Sequence, residues 1–232
     1  MSEPSSSRSS GSARIDYSSA VATGRGDDGT TGLLFNDSRV NKDDLRTEAF
    51  GTIDEAVAAL GLARAELGLK DQLGVLSGGF GRMPELILRL QRELFVAGAE
   101  LATAPDARHR QTDGYTRVSA EMMEGLDAIL RESEAAIVMP HEFVVPGETR
   151  TSSAIELART VVRRAERRAV TLAQHDPVIG EGHLIPYLNR LADLLWILAR
   201  MAEQAESKGA TSSRPDGGPR TRSGAASPER ID

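Results

Sequence analysis

The 232-residue chain contains no cysteine. That excludes a disulfide scaffold, a zinc finger, an iron–sulfur site and a cysteine nucleophile. No apolar run approaches the ~18 residues of a membrane span. The N-terminus carries no apolar signal core, so neither a membrane partner nor export is expected and the expected location is the cytoplasm. A basic excess is also missing: 28 Lys and Arg against 34 Asp and Glu leave a net charge of −6, the balance of an ordinary acidic protein rather than a nucleic-acid binder. None of His109, His141, His175 or His183 has a glutamate three residues before it, so the Glu-x-x-His pairs of a di-metal carboxylate bundle are absent. No Ser/His/Asp triad stands out, and no protein-held metal is expected. Alternating strand patterns and repeats of solenoid period are lacking too.

Two ends lack the apolar residues that folding requires. Residues 1–18 are rich in serine, and residues 207–232 are similar; neither can bury enough surface to offset the entropy of ordering, so both are expected to be disordered tails. Arg8 and Arg14 give the first a faint likeness to a transit peptide, which Glu3 and Asp16 weaken. Residues 19–206 remain, about one domain of chain.

What fills that domain is helical periodicity. Apolar residues recur at three/four spacing over 44–68 (Leu45, Ala49, Ile53, Val57, Leu60, Ala63 or Leu67), over 83–102 (Leu86, Leu90, Leu94, Ala97, Leu101) and over 117–133 (Val118, Met122, Leu126, Ile129). A long segment follows over 151–174, with Ser152 or Ser153 as N-cap and His175-Asp176-Pro177 as its stop, and a fifth over 184–205 (Leu188, Leu191, Leu195, Leu198). Pro84 suits the first turn of the second helix. The expected fold is all-α, a bundle of five helices.

The loop over 20–42 includes T-G-R-G-D-D-G-T-T-G at 23–32. Gly24, Gly26 and Gly29 fit G-x-G-x-x-G, but no strand precedes and no helix directly follows, so the dinucleotide reading fails. No Gly-Lys-Ser/Thr makes it a Walker A loop, and Arg25-Gly26-Asp27 is too short to imply adhesion. Glycines let backbone N–H groups converge on an anion, and threonine hydroxyls add donors, with Lys42 just beyond. A phosphate cradle and a plain connector both remain open on composition.

Residues 159–168 hold five arginines and one glutamate. Arg159, Arg163 and Arg167 lie at i, i+4 and i+8 on one stripe; Arg164 and Arg168 form a second stripe about a hundred degrees round. Glu156 and Glu166 can pair with some of them. Arginine suits bidentate phosphate contacts, so a phosphate-holding face and a salt-bridged surface both remain open. In the first helix Asp54 and Glu55 interrupt the apolar pattern, and an arginine of the fourth helix is the expected partner. In the fifth, Asn189, Arg190 and Asp193 are polar residues in an apolar helix, expected to serve an internal network or a ligand.

Taken together these blocks resemble the PduO-type ATP:cob(I)alamin adenosyltransferases. The matching blocks are residues 23–32 with R-V-N-K-D-D (39–44), E-A-F-G-T-I-D-E (48–55), F-V-V-P-G (143–147) with A-R-T-V-V-R-R-A-E-R-R (158–168), and Y-L-N-R-L-A-D (187–193). They span roughly residues 20–202. Two positions depart from the family's pattern: Gly24 stands where a basic residue is usual, with Arg25 one place on, and Val57 stands where asparagine is frequent.

The resemblance implies a homotrimer with active sites between subunits and transfer of the 5′-deoxyadenosyl group of ATP to cob(I)alamin, yielding adenosylcobalamin and triphosphate. It implies ATP contacts by the loop, through Thr23, Gly24, Arg25, Gly26, Thr31, Gly32 and Lys42. From the helical side it implies contacts by Arg163, Glu166, Arg167 and Asn189. Arg164 is carried with these, although its place on the second stripe equally suits a surface pair. Arg159 matches an arginine that pairs across the interface with an acid, here Asp54. Phe143 matches an aromatic residue on the corrin side that displaces the lower axial base. Arg163, Lys42, Phe143, Asp54 and Arg159 are therefore the expected catalytic set. ATP is expected to arrive with Mg²⁺, a reductase to supply Co(I), and an adenosylcobalamin-dependent mutase to take the product. The rival reading is a non-catalytic, ATP-binding bundle that carries adenosylcobalamin to a partner enzyme.

Overall fold

A computed structural model describes residues 21–72 and 82–213; the expected tail at 1–18 and residues 214–232 of the second tail lie outside it. Five long helices are present: α1 Leu45–Gln72, α2 Met83–Ala102, α3 Ala120–Ala135, α4 Arg150–Ala173 and α6 Leu184–Ala205, with a one-turn α5 at Val178–Glu181 and a 3-10 turn at Pro105–Arg110.

The periodicity read from the sequence is what packs. On α1 the fully buried apolar positions are Ala49, Ile53, Ala56, Leu60, Ala63 and Leu67, alternating steps of four and three. They face α2 and α4, and α4 in turn packs on α6, which holds α3. Much of the apposed surface of α4 is small: Ala154, Ala158, Ala165 and Ala169 are buried. Short side chains on both helices let the axes approach closely. Larger residues of α2 and α6, among them Leu90, Leu94, Leu188 and Leu195, fill the rest.

Two helix starts differ from expectation. α4 starts earlier because its N-cap is Thr149, in extended conformation. Ser152 is the reciprocal partner of Thr149 in a capping box rather than the cap itself. α3 begins at Ala120 because Ser119 caps it, accepting from Met122 N–H at 3.3 Å, while the preceding Val118 N–H is taken by Glu100 at 2.7 Å. Short strands also form where none was expected: β1 Thr30–Gly32 pairs antiparallel with β2 Arg39–Asn41, and β3 Val144–Val145 with β4 Thr211–Ser212. Two or three residues are too few to show an alternation. The second pairing draws residues 211–213, expected to be tail, against the Phe143 loop, where Ser213 N–H donates to Phe143 O at 2.8 Å.

Candidate active site

The β1–β2 hairpin makes the Gly-rich loop a shaped element. Arg39 holds it from within: Nε donates to Thr30 Oγ1 at 2.8 Å and Nη2 to Arg25 O at 2.6 Å. Asp28 Oδ1 accepts from Thr30 N–H at 2.9 Å and its hydroxyl at 2.7 Å. Those Thr30 hydrogen bonds, with Arg39 beside them, hold the Asp28 carboxyl below its ordinary range. Gly24 has φ +68°, a left-handed conformation that a side chain strains, so glycine suits this place. Lys42 N–H donates to Gly29 O at 2.9 Å. Its side chain lies over Gly26, where an added Cβ would come within 3.0 Å of Nζ. Thr23, Arg25, Gly32 and Lys42 are exposed, and Thr31 is half-buried.

The hairpin is fastened to the end of the bundle. Leu34 N–H donates to Ala102 O at 2.8 Å, Asn36 Nδ2 to Asp106 Oδ1 at 2.9 Å, and Arg110 Nη1 to Phe35 O at 2.5 Å. Beneath it, Asp176 takes ion pairs from both Arg46 and Arg108, joining the α4–α5 connection to α1 and to the 3-10 turn. Glu100 at the end of α2 is buried, and burial pushes its carboxyl up to about 7, against the opposing pull of the Val118 N–H and Arg117.

The arginine stretch of α4 divides. Arg164 pairs with Glu55, and Arg168 Nε lies 3.0 Å from Glu48 Oε1, so the second stripe ties α4 to α1. Glu55 thus meets the α4 arginine expected for it. Arg159 Nε donates to Glu156 Oε2 at 2.6 Å. Arg163 and Arg167 are exposed, and among the described residues neither has an acidic partner; Arg167 Nη1 bonds only the backbone oxygen of Arg163, at 3.0 Å. Glu166 accepts instead from Asn189 Nδ2 at 3.2 Å. Two cations therefore remain unneutralised on one side of the helix.

Some expectations shift. Asn189 and Asp193 are exposed rather than part of an internal network, because the apolar face of α6 is turned the other way; Arg190 is half-buried and pairs with Asp127 of α3 at 2.8 Å. Asp54 is exposed, and within the described residues it pairs with neither Arg159 nor any other cation. Among the described residues no ion pair joins the hairpin to the α4 arginines. Phe143 is 80 % exposed. Val57 is half-buried, with its carbonyl accepting from Gln91 Nε2 at 2.9 Å. The sequence reading missed Arg39, whose only signal was its place two residues after a turn. It also missed the buried polar set of α6, Arg200 and Glu203, whose signal was an opposite-charge pair at i, i+3 inside a continuous apolar face.

The fold and site thus define a helical bundle that presents a Gly-rich hairpin with a lysine over it and, among the described residues, an arginine face without carboxylate partners. The comparisons narrow this class. Residues 21–202 match the Cobalamin adenosyltransferase family. The chain is 33% identical over 183 residues to a corrinoid adenosyltransferase of Citrobacter freundii, covering 79% of this chain and 94% of that protein. It is 38% identical over 187 residues to one of Mycobacterium tuberculosis, covering 78% and 88%. Among solved structures, a variant of the PduO-type ATP:corrinoid adenosyltransferase of Lactobacillus reuteri, complexed with cobalamin and ATP, superposes with a TM-score of 0.69 at 24% identity, over 84% of this chain and 96% of that one. The chain belongs to the cobalamin adenosyltransferase family.

Proposed function

We propose that this protein transfers the 5′-deoxyadenosyl group of ATP to the Co(I) centre of a reduced corrinoid, giving adenosylcobalamin and triphosphate. The observation that carries the reading is the division of the α4 stretch. Arg159, Arg164 and Arg168 have carboxylate partners in the chain, and among the described residues Arg163 and Arg167 have none. Two exposed guanidinium groups with no carboxylate of their own to engage are free to meet a phosphate bidentately.

In this reaction cobalt attacks C5′ rather than phosphorus. The Co–C bond forms as the C5′–O bond breaks, and the electron pair leaves on the triphosphate. The protein's task is to hold C5′ over the corrin and to stabilise charge that grows on the leaving oxygen. Lys42, the hairpin N–H groups and Thr23, Thr31 and Arg25 serve the phosphates from one side, with Gly24, Gly26 and Gly32 leaving room for the approach. Arg163 and Arg167 serve from the other. Glu166, held by Asn189, is an acceptor for the nucleoside. As the resemblance to the family implies, the site is completed by a second copy, and the working assembly is a trimer. Arg159 and Asp54, each with spare capacity, form the contact between copies. Phe143, on its exposed loop, takes the lower face of the corrin. Mg²⁺ enters with ATP. A reductase supplies Co(I), and an adenosylcobalamin-dependent enzyme consumes the product.

The test is a photolysis assay. Protein, ATP, Mg²⁺ and chemically reduced cobalamin should yield the light-sensitive Co–C product at a rate proportional to enzyme. Tight binding of ATP and adenosylcobalamin without product formation would instead make the protein a carrier.

A further inference from the structure

The bundle core contains a chain of charges that the reaction does not use. Glu156, Arg200 and Glu203 are 4 %, 1 % and 1 % exposed. Arg200 Nη2 donates to Glu203 Oε1 at 2.7 Å, and Arg200 Nη1 makes an ion contact of 3.2 Å with Glu156 Oε1. The Trp196 ring lies 5.4 Å from the Arg200 guanidinium. The second oxygen of Glu156 accepts from Arg159 Nε at 2.6 Å, and the Arg159 side chain is 23% exposed. The order Glu203, Arg200, Glu156, Arg159 alternates in sign and runs from the interior of α6 to the surface of α4.

Stability does not account for this arrangement. Buried ion networks can often be replaced by neutral or apolar residues without loss, because desolvation offsets the attraction. Arg200 Nε and Nη1 and Glu203 Oε2 are buried without hydrogen-bond partners among the described residues, the Nη1 contact with Glu156 being ionic only, a cost that packed apolar side chains would avoid. What the network does accomplish lies at its outer end. Two buried carboxylates face one buried guanidinium, so Glu156 retains a charge for Arg159. It engages only Nε, and among the described residues both η nitrogens of Arg159 have no partner. A guanidinium fixed at Nε, with its η nitrogens outward, is oriented for a bidentate carboxylate. Fixing it before association lowers the ordering cost of forming that contact.

We propose that Glu156, Arg200 and Glu203 are positioning residues, a buried charge chain that holds Arg159 in the pose that receives a carboxylate of a second copy of this chain. The proposal rests on the trimeric reading above, in which that carboxylate is Asp54.

The experiment is a cycle read by sedimentation velocity over a concentration series, with far-UV circular dichroism to show that the helices are kept. The triple variant Glu156→Gln, Arg200→Met, Glu203→Gln removes all three buried charges together and leaves Arg159 in place. It should raise the concentration at which the assembly half-dissociates by about tenfold, and adding Arg159→Ala to it should cause no further loss, since both changes break one contact. Glu156→Asp, which keeps the charge but withdraws it by one methylene, should weaken assembly in the same direction. Parent-like assembly of the triple variant or of Glu156→Asp, or losses that add when Arg159→Ala is combined, would overturn the proposal. Arg159→Ala alone separates the two levels. If that variant assembles like the parent, the trimeric contact itself is wrong. If it dissociates while the triple variant does not, only the positioning role is wrong.

Discussion

Asn189 Nδ2 donates to Glu166 Oε1 at 3.2 Å, and so ties the exposed side of α6 to the arginine face of α4. The consequence is electrostatic. Glu166 lies between Arg163 and Arg168 in sequence, yet among the described residues it meets the Asn189 amide and neither the Arg163 nor the Arg167 guanidinium.

Arg163 is the first residue to remove. Arg163→Ala is expected to lower kcat by about two orders of magnitude, on the order of 3 kcal/mol, the loss typical of one donor that stabilises developing charge. Turnover should be measured alongside sedimentation. Near-normal turnover in an intact assembly would take Arg163 out of the reaction.

Gly26 reports on Lys42. A methyl at this position would stand 3.0 Å from Nζ and 3.2 Å from Thr30 O. The lysine tip can move aside but the Thr30 carbonyl belongs to the hairpin backbone, so Gly26→Ala should lower thermal stability modestly. It should raise KM for ATP by about tenfold, the loss of one charge-assisted contact. An unchanged KM would mean that Lys42 does not reach the phosphates.

Phe143 is 80 % exposed on a loop that β4 pins through Val144 and Val145. Such exposure of a large aromatic side chain fits a ligand contact. Phe143→Ala should bind ATP normally yet fail to produce the four-coordinate cob(II)alamin signature in the visible and paramagnetic resonance spectra. Persistence of that signature would assign the displacement of the axial base to another side chain.

Glu100 predicts a pH dependence. Its carboxyl is raised from 4.5 to about 7 in the folded chain, chiefly by burial. Between those values the folded state holds a proton that the unfolded state has released, so stability falls as pH rises through that window. The span amounts to roughly 3 kcal/mol. Urea unfolding of Glu100→Gln from pH 4.5 to 7.5 should lose this slope relative to the parent. Parallel slopes would show that the carboxyl is already ionised at the lower end.

The sequence made the five long helices legible because each buries one stripe, and a stripe at three/four spacing survives as a pattern even where its members are alanines, as Ala49, Ala56 and Ala63 do on α1. The hairpin was not legible, because β1 and β2 are three residues each and are held by one arginine, Arg39, whose role depends on carbonyls brought together only by the turn. The polarity of Asn189 and Asp193 was visible but their direction was not: in an apolar helix a polar residue reads the same whether it breaks the buried face or lies opposite it. Conversely Arg200 and Glu203, the charges that are buried, had the look of an ordinary surface pair. For Asp54 and Arg159 the residue types were legible, and their single-chain geometry shows why pairing was hard to place: each has a free side toward solvent, and the partner proposed for it belongs to another copy.

The most direct test of the account follows the carbon that it says is attacked. The enzyme would be given ATP labelled with ¹³C at C5′, together with Mg²⁺ and reduced cobalamin, and the products read by carbon NMR and by anion chromatography. The account predicts that the label appears on a carbon bonded to cobalt, in step with release of intact inorganic triphosphate. Label that remains in an adenosine phosphate, with orthophosphate or diphosphate released instead, would contradict it.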